Sequence, residues 1–264
     1  MSRVALKIND HDCFQQPLAL SCSEPNILRR LHVDQITLTV ADGTKMNAFV
    51  SMPEKKTSTA IIILQEAFGV NNHIKGLTTR FANEGYIAIA PELYHRTAPP
   101  GHTCGYTEFQ SMMPHFTAMN EMGFQQDVQA CYDWLQKTQR AQSVAAIGYC
   151  MGGRVAFVAN ASVPLSCAIS YYGGRIAPGN LNLAAAQNSP LLFFWGGLDK
   201  HIPPEQIQSV NQALTSAKKK FTCVEISDAD HGFFCEERPS YNEEASRQSW
   251  ALTLQFLKDH NSPR

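Results

Sequence analysis

The chain has no surplus of either charge: 22 of its 264 residues are Lys or Arg and 23 are Asp or Glu. Such a balance gives no basic field for nucleic acid or for an anionic membrane surface. No apolar run approaches the ~18 residues needed to cross a bilayer, and residues 1–10 lack the apolar stretch of a secretion signal. A cytoplasmic protein with neither nucleic acid nor membrane as partner is expected. Eight cysteines stand at 13, 22, 104, 131, 150, 167, 223 and 235, but no pair is spaced Cys-x-x-Cys and no His/Cys group has zinc-site spacing. No metal site is expected on that ground, and no cofactor, since Gly-x-Gly-x-x-Gly is absent as well. Internal repeats and low-complexity segments are also lacking. Cys131, Cys167 and Cys223 fall within apolar patterns, where a free cysteine acts as a small core hydrophobe, and a reduced protein is expected.

What is present suits one α/β domain. Hydrophobic residues make up 44% of the chain, enough for a sizeable core. Residues 1–30 are polar and aperiodic and read as an N-terminal arm, with the domain over 31–264. Alternation at Val33, Ile36, Leu38 and Val40, then Asp42-Gly43, then a returning strand over 46–52 predict an edge hairpin. From the apolar run 60–64 onward, strand and helix patterns alternate: helix 72–84, strand 87–90, helix 121–138, strand 144–149, a helix from 151, strands 165–171 and 191–195, helix 203–217, strand 221–226 and a last helix 243–257. This order means a mostly parallel sheet with helices on both faces. The stretches 91–120 and 228–242 read as long loops of the kind that carry function.

One stretch stands out chemically. In residues 145–154 an apolar strand stops at Gly148-Tyr149-Cys150-Met151-Gly152-Gly153 and a helix begins, so a cysteine occupies a tight strand-to-helix turn in the pattern Gly-x-Cys-x-Gly. Such an elbow forces its central side chain above the sheet, and the helix N-terminus favours negative charge there. Cys150 alone could equally be a small residue in a structural turn. Asp199 follows the apolar strand 191–195 and two glycines, at the carboxyl end where open α/β sheets collect ligands, although an Asp there also caps helices. His231 follows the next strand, in the run Asp228-Ala229-Asp230-His231-Gly232-Phe233. Nucleophile, acid and histidine thus fall at strand ends in the chain order of α/β-hydrolases, each with a role in one proton relay. A fourth residue, Glu66, ends the strand 60–64. A carboxylate there is costly unless paired, with Arg96 or Arg80 as candidate partners. The backbone N–H groups of Ala67 and Met151 are placed to form an oxyanion hole.

These residues carry a family resemblance. Gln65-Glu66-Ala67-Phe68-Gly69-Val70-Asn71, Pro91-Glu92-Leu93-Tyr94-His95-Arg96, Gly148-Tyr149-Cys150-Met151-Gly152-Gly153 and His231-Gly232-Phe233 are similar to the dienelactone hydrolase (carboxymethylenebutenolidase) family, over about residues 30–260. The resemblance implies an α/β-hydrolase fold, a Cys150–His231–Asp199 triad, and a Glu66 that holds the resting thiol. It implies a carboxylic ester hydrolase that opens a small anionic enol-lactone to an oxo-acid such as maleylacetate, or cleaves a related ester. Arg96 would pair with the substrate carboxylate or with Glu66. Arg238, seven residues past His231, would serve as a second substrate-binding arginine, and Tyr94 and Trp195 would help to line the site. The expected partner is a small lactone or ester, on a monomer or homodimer. The competing expectation is a non-enzymatic ligand-binding or thiol-sensing protein on the same fold.

Overall fold

The computed structural model describes residues 32–262, so the expected N-terminal arm, with Cys13 and Cys22, lies outside the described residues. The hairpin forms as the alternation predicts. Strands β1 (His32–Thr39) and β2 (Lys45–Met52) pair antiparallel, with Met46, Ala48 and Val50 turned inward from β2. Its turn is set by Asp42, whose Oδ1 accepts from the Thr44 amide at 3.0 Å, and by Gly43 at φ +85°.

Six further strands complete one eight-stranded sheet: β3 (Thr59–Leu64), β4 (Ile87–Pro91), β5 (Ser143–Tyr149), β6 (Ala168–Tyr171), β7 (Leu191–Gly196) and β8 (Phe221–Ile226). The spatial order is β1-β2-β4-β3-β5-β6-β7-β8, and every pairing from β4 to β8 is parallel. Strands β3, β4, β5 and β7 are buried along nearly their whole length, which is why they read as continuous apolar runs. Helices α1 (Asn72–Asn83), α2 (Phe109–Ala118), α3 (Glu121–Lys137), α4 (Met151–Asn160), α5 (Pro204–Ser216) and α6 (Glu243–His260) surround it. Asn71, Asn120 and Asn242 cap α1, α3 and α6 by accepting from an amide three residues on. Among the described residues no helix is long and apolar enough to cross a membrane.

Two expectations change. The stretch 91–120, read as loop, contains α2. Pro114 inside that helix and its single fully buried residue, Met112, erase the periodicity that would have revealed it. The strand expected over 165–171 begins only at Ala168, because residues 165–167 are a lead-in whose Ser166 amide donates to the Val144 carbonyl at 2.8 Å.

The sheet and α4 meet backbone to backbone. A Cβ on Gly148 would overlap the carbonyl of Gly152, and one on Gly152 would overlap the carbonyl of Leu64 and lie 2.8 Å from that of Gln65. Backbone cannot yield as a side-chain tip can. Gly152→Ala is expected to cost about 3 kcal/mol or more of unfolding free energy in urea. Gly76→Ala, in α1 with nothing within 4 Å of the new methyl, is expected to gain about 0.5–1 kcal/mol, and similar behaviour of the two variants would refute the close-approach account.

Candidate active site

Cys150 is the residue between β5 and α4, with φ +55° and ψ −116°. A non-glycine residue in this region costs about 1–3 kcal/mol and persists only where its surroundings fix it. They do so here: the Cys150 amide donates to the Tyr171 carbonyl at 3.0 Å, its own carbonyl accepts from the Gly153 amide at 3.0 Å, and the flanking glycines leave no alternative path. The half-buried thiol faces a cavity of about 540 Å³ at the carboxyl ends of the parallel strands. Ala67, Phe68, Met151, His231 and Arg238 line the same cavity.

Asp199 arrives from the end of β7. Gly196 and Gly197 let that strand end lie against the segment that carries His231, since a Cβ on either would press on the backbone of Ala229 or Ser227. The two oxygens of Asp199 divide the work. Oδ2 sits 2.7 Å from His231 Nδ1, while Oδ1 accepts from the His201 amide at 2.8 Å. Asp199 therefore does not cap α5, whose N-cap is Pro203 with no side-chain cap; its second oxygen closes a turn two residues on. Burial disfavours the charged imidazole of His231. The negative charge available at Cys150, hydrogen bonds to Asp199 and Cys150, and the charge of Asp199 outweigh it, so the pKa is pushed up from 6.5 to about 10. Tyr172 and His201 flank the ring, with centroids 5.1 and 5.3 Å away.

Glu66 lies past the end of β3 and is fully buried. Its segment is tied down on both sides: Gln65 Oε1 accepts from the Leu93 amide at 3.0 Å, and the Tyr94 hydroxyl donates to the Ala67 carbonyl at 3.0 Å. Glu66 Oε1 accepts from Arg238 Nη1 at 3.2 Å, whereas Oε2 is buried without a partner. Burial raises the Glu66 pKa, against the opposing charges of Arg238 and His231. Arg238 itself is held by the rings of Phe68 and Tyr106, 5.7 and 5.8 Å from its guanidinium carbon, and by Gly232 at φ +80°, where any side chain would collide with it.

The structure brings together Cys150, Asp199, His231, Glu66 and Arg238 and places Ala67 and Met151 beside the thiol. It corrects four other expectations. Arg96 is neither a partner of Glu66 nor a lining residue of the cavity: it pairs with Asp42 at 2.6 Å and with the buried Asp127 at 2.8 Å, a carboxylate that also takes His95 at 3.1 Å. Tyr94 lies beneath the cavity wall, where its hydroxyl holds Ala67 and reaches Met151 Sδ at 3.5 Å. Trp195 is buried within the sheet and stacked on Phe193, two residues back on the same strand face. The implied Glu66–thiol contact is replaced by the Glu66–Arg238 pair. Sequence reasoning missed Arg175, His201, Phe109 and Phe116, which complete the cavity wall. The two phenylalanines sit on the unrecognised α2, and Arg175, at φ +64°, stacks over Phe116 at 4.7 Å in a segment with no pattern.

Comparison with known proteins follows the same lines. Residues 46–261 match the model of the "Dienelactone hydrolase family". A Salmonella typhimurium protein named "Putative carboxymethylenebutenolidase" is 30% identical over 87% of this chain and 88% of its own length. One of the same name from Synechocystis is 33% identical over 75% of this chain and 85% of its own. Among solved structures, the "Putative Dienelactone Hydrolase" from Klebsiella pneumoniae superposes with a TM-score of 0.77 at 27% identity, covering 86% of this chain and 99% of that one.

The elevated His231 value sets the sign of a pH dependence. Holding the imidazolium stabilises the fold fully below the unfolded value of 6.5, and this contribution is lost as pH rises through about 10. Asp199→Asn, which removes one of the causes, is expected to lower the unfolding free energy by about 1–3 kcal/mol at pH 6 and by clearly less at pH 10. Urea denaturation at the two pH values measures both, and equal losses would exclude the charge on His231 as their source.

Proposed function

Because this chain belongs to the dienelactone hydrolase family, we propose that it hydrolyses a small lactone or ester through a Cys150 nucleophile. The observation that carries the reading is a cysteine at positive φ on an α/β elbow, sharing one cavity with a histidine that is bonded to a buried aspartate. The proton shared by Cys150 and His231 rests on the imidazole, and Asp199, bonded to Nδ1–H, stabilises that imidazolium and leaves the sulfur as the nucleophile. The sulfur attacks the carbonyl carbon. The Ala67 N–H and the Met151 N–H stabilise the oxyanion. Met151 is the first residue of α4, so its amide has no acceptor within the helix. Collapse breaks the bond to the ring or alkoxide oxygen, which receives the proton from His231 and leaves a thioester. Water, with His231 as base, then breaks the carbon–sulfur bond and frees the acid and the thiol.

The cavity favours a substrate with an apolar body and an acidic group. Its wall is aromatic at Phe68, Phe109 and Phe116, and its cations are Arg175 and Arg238. An enol-lactone carrying a carboxylate, as the names of the relatives suggest, fits that chemistry. Glu66 acts through Arg238, fixing the guanidinium at the cavity edge. We place the reaction in the cytoplasm, where free thiols persist, in a monomer or homodimer.

Steady-state kinetics on a panel of enol-lactones and aryl esters tests this reading. Cys150→Ala and His231→Ala are each expected to lower kcat by about 10³-fold or more while the fold is retained. Arg238→Gln is expected to raise KM for carboxylate-bearing substrates more than for neutral ones. Full turnover in both Cys150→Ala and His231→Ala would overturn the assignment.

A further inference from the structure

Around Glu66 lies a second group of reactive side chains, two of which, His73 and Cys235, have no part in the hydrolytic steps. Glu66, His73 and Cys235 each direct one donor atom into a common space, with the three atoms all within 4.8 Å of one another. Glu66 Oε2 and His73 Nε2 are both buried without a hydrogen-bond partner. A carboxylate, an imidazole and a thiol gathered this closely, two of them with an unpartnered buried atom, can be satisfied together by one cation. We propose that Glu66, His73 and Cys235 form a site for a divalent cation of zinc type, and that filling it shuts down hydrolysis.

The donor set fits such an ion. Imidazole nitrogen, thiolate sulfur and carboxylate oxygen together suit zinc better than calcium or magnesium, which take oxygen ligands. Zinc bonds of about 2.0–2.3 Å place neighbouring ligand atoms roughly 3.5 Å apart, so the group closes on the ion with about an ångström of movement. The surroundings already orient the ligands. His73 lies in the first turn of α1, capped by Asn71, and the side-chain Nδ2 of Asn71 donates to the Tyr106 hydroxyl at 2.9 Å. The Cys235 thiol donates to that same hydroxyl at 3.1 Å. On binding, the Cys235 thiol gives up its proton to solvent as the sulfur–metal bond forms.

Inhibition follows from Glu66, and this half of the proposal rests on the hydrolase reading. A dication on the free oxygen of Glu66 draws on the charge that also holds Arg238 at Oε1, and it lies near a triad that works through the Cys150–His231 charge pair. Arg238 lines the cavity and contacts Glu66, so it links the two sites.

Cobalt(II), a spectroscopic stand-in for zinc, separates binding from activity. One equivalent added to metal-free full-length protein is expected to give the near-ultraviolet thiolate-to-cobalt absorption. Cys235→Ser is expected to abolish that band, His73→Gln to weaken cobalt binding at least tenfold, and Cys150→Ala to retain both band and affinity. In turnover assays zinc is expected to inhibit the wild type, with at least tenfold lower sensitivity in Cys235→Ser. A band that survives in Cys235→Ser and vanishes in Cys150→Ala would place the metal on the nucleophile and overturn the proposal, as would the absence of any band. If the protein turns over no ester or lactone, the cobalt spectra still decide whether the site exists.

Discussion

The contact of backbone on backbone between α4 and the middle of the sheet governs this molecule. Gly148, at the end of β5, lies against the carbonyl of Gly152, and Gly152 lies against the carbonyl of Leu64 at the end of β3. With no side chain between them, helix and strands approach to a distance that leaves the linking residue one conformation. Cys150 therefore sits at positive φ, and its strain is borne by the packing of three elements rather than by its own contacts. The same closeness sets the helix N-terminus beside the segment 65–67, so Ala67 and Met151, which flank the thiol, come from two neighbouring strand ends.

Around this frame the protein handles its buried charges by sharing. Asp127 takes both His95 and Arg96, which fastens the segment after β4 to α3. Asp199 serves a backbone turn with one oxygen and an imidazole with the other. Glu66 differs: fully buried, it has one oxygen on Arg238 and one unpaired. A buried carboxylate left half-satisfied is unfavourable for stability, and such groups concentrate where a protein does chemistry. Removing either member of the pair leaves the other as an uncompensated charge in or beside a low-dielectric interior.

How far the sequence disclosed this depends on whether a residue's partner is near or far along the chain. The strands were legible because burial on both faces leaves an uninterrupted apolar run, and the elbow because glycines at two fixed offsets have few other uses. Cys150, Asp199 and His231 could be read because strand order fixes where strand ends lie. Arg96 could not, since the motif around Tyr94 and Arg96 looks like a binding sequence yet turns on Asp127, thirty-one residues on, through contacts that the spacing does not announce. The pairing of Arg238 cannot be read from the sequence, because its partner, Glu66, is 172 residues away. Trp195 shows the opposite error: an aromatic at a strand end resembles a pocket wall, and only its stacking on Phe193 assigns it to the core. Helix α2 escaped because a proline and a thinly buried face remove the 3.6-residue signal.

The long-range pairing of Glu66 with Arg238 also has a consequence in time. Synthesis runs from the N-terminal side, so the segment with Glu66 and the elbow with Cys150 emerge before His231, Cys235 and Arg238, which follow Cys150 by 81 to 88 positions. Until that final segment docks, the thiol has no imidazole and Glu66 has no guanidinium. A nascent chain therefore carries a lone thiol beside an uncompensated carboxylate, and the site is assembled only when the later segment docks against the earlier ones.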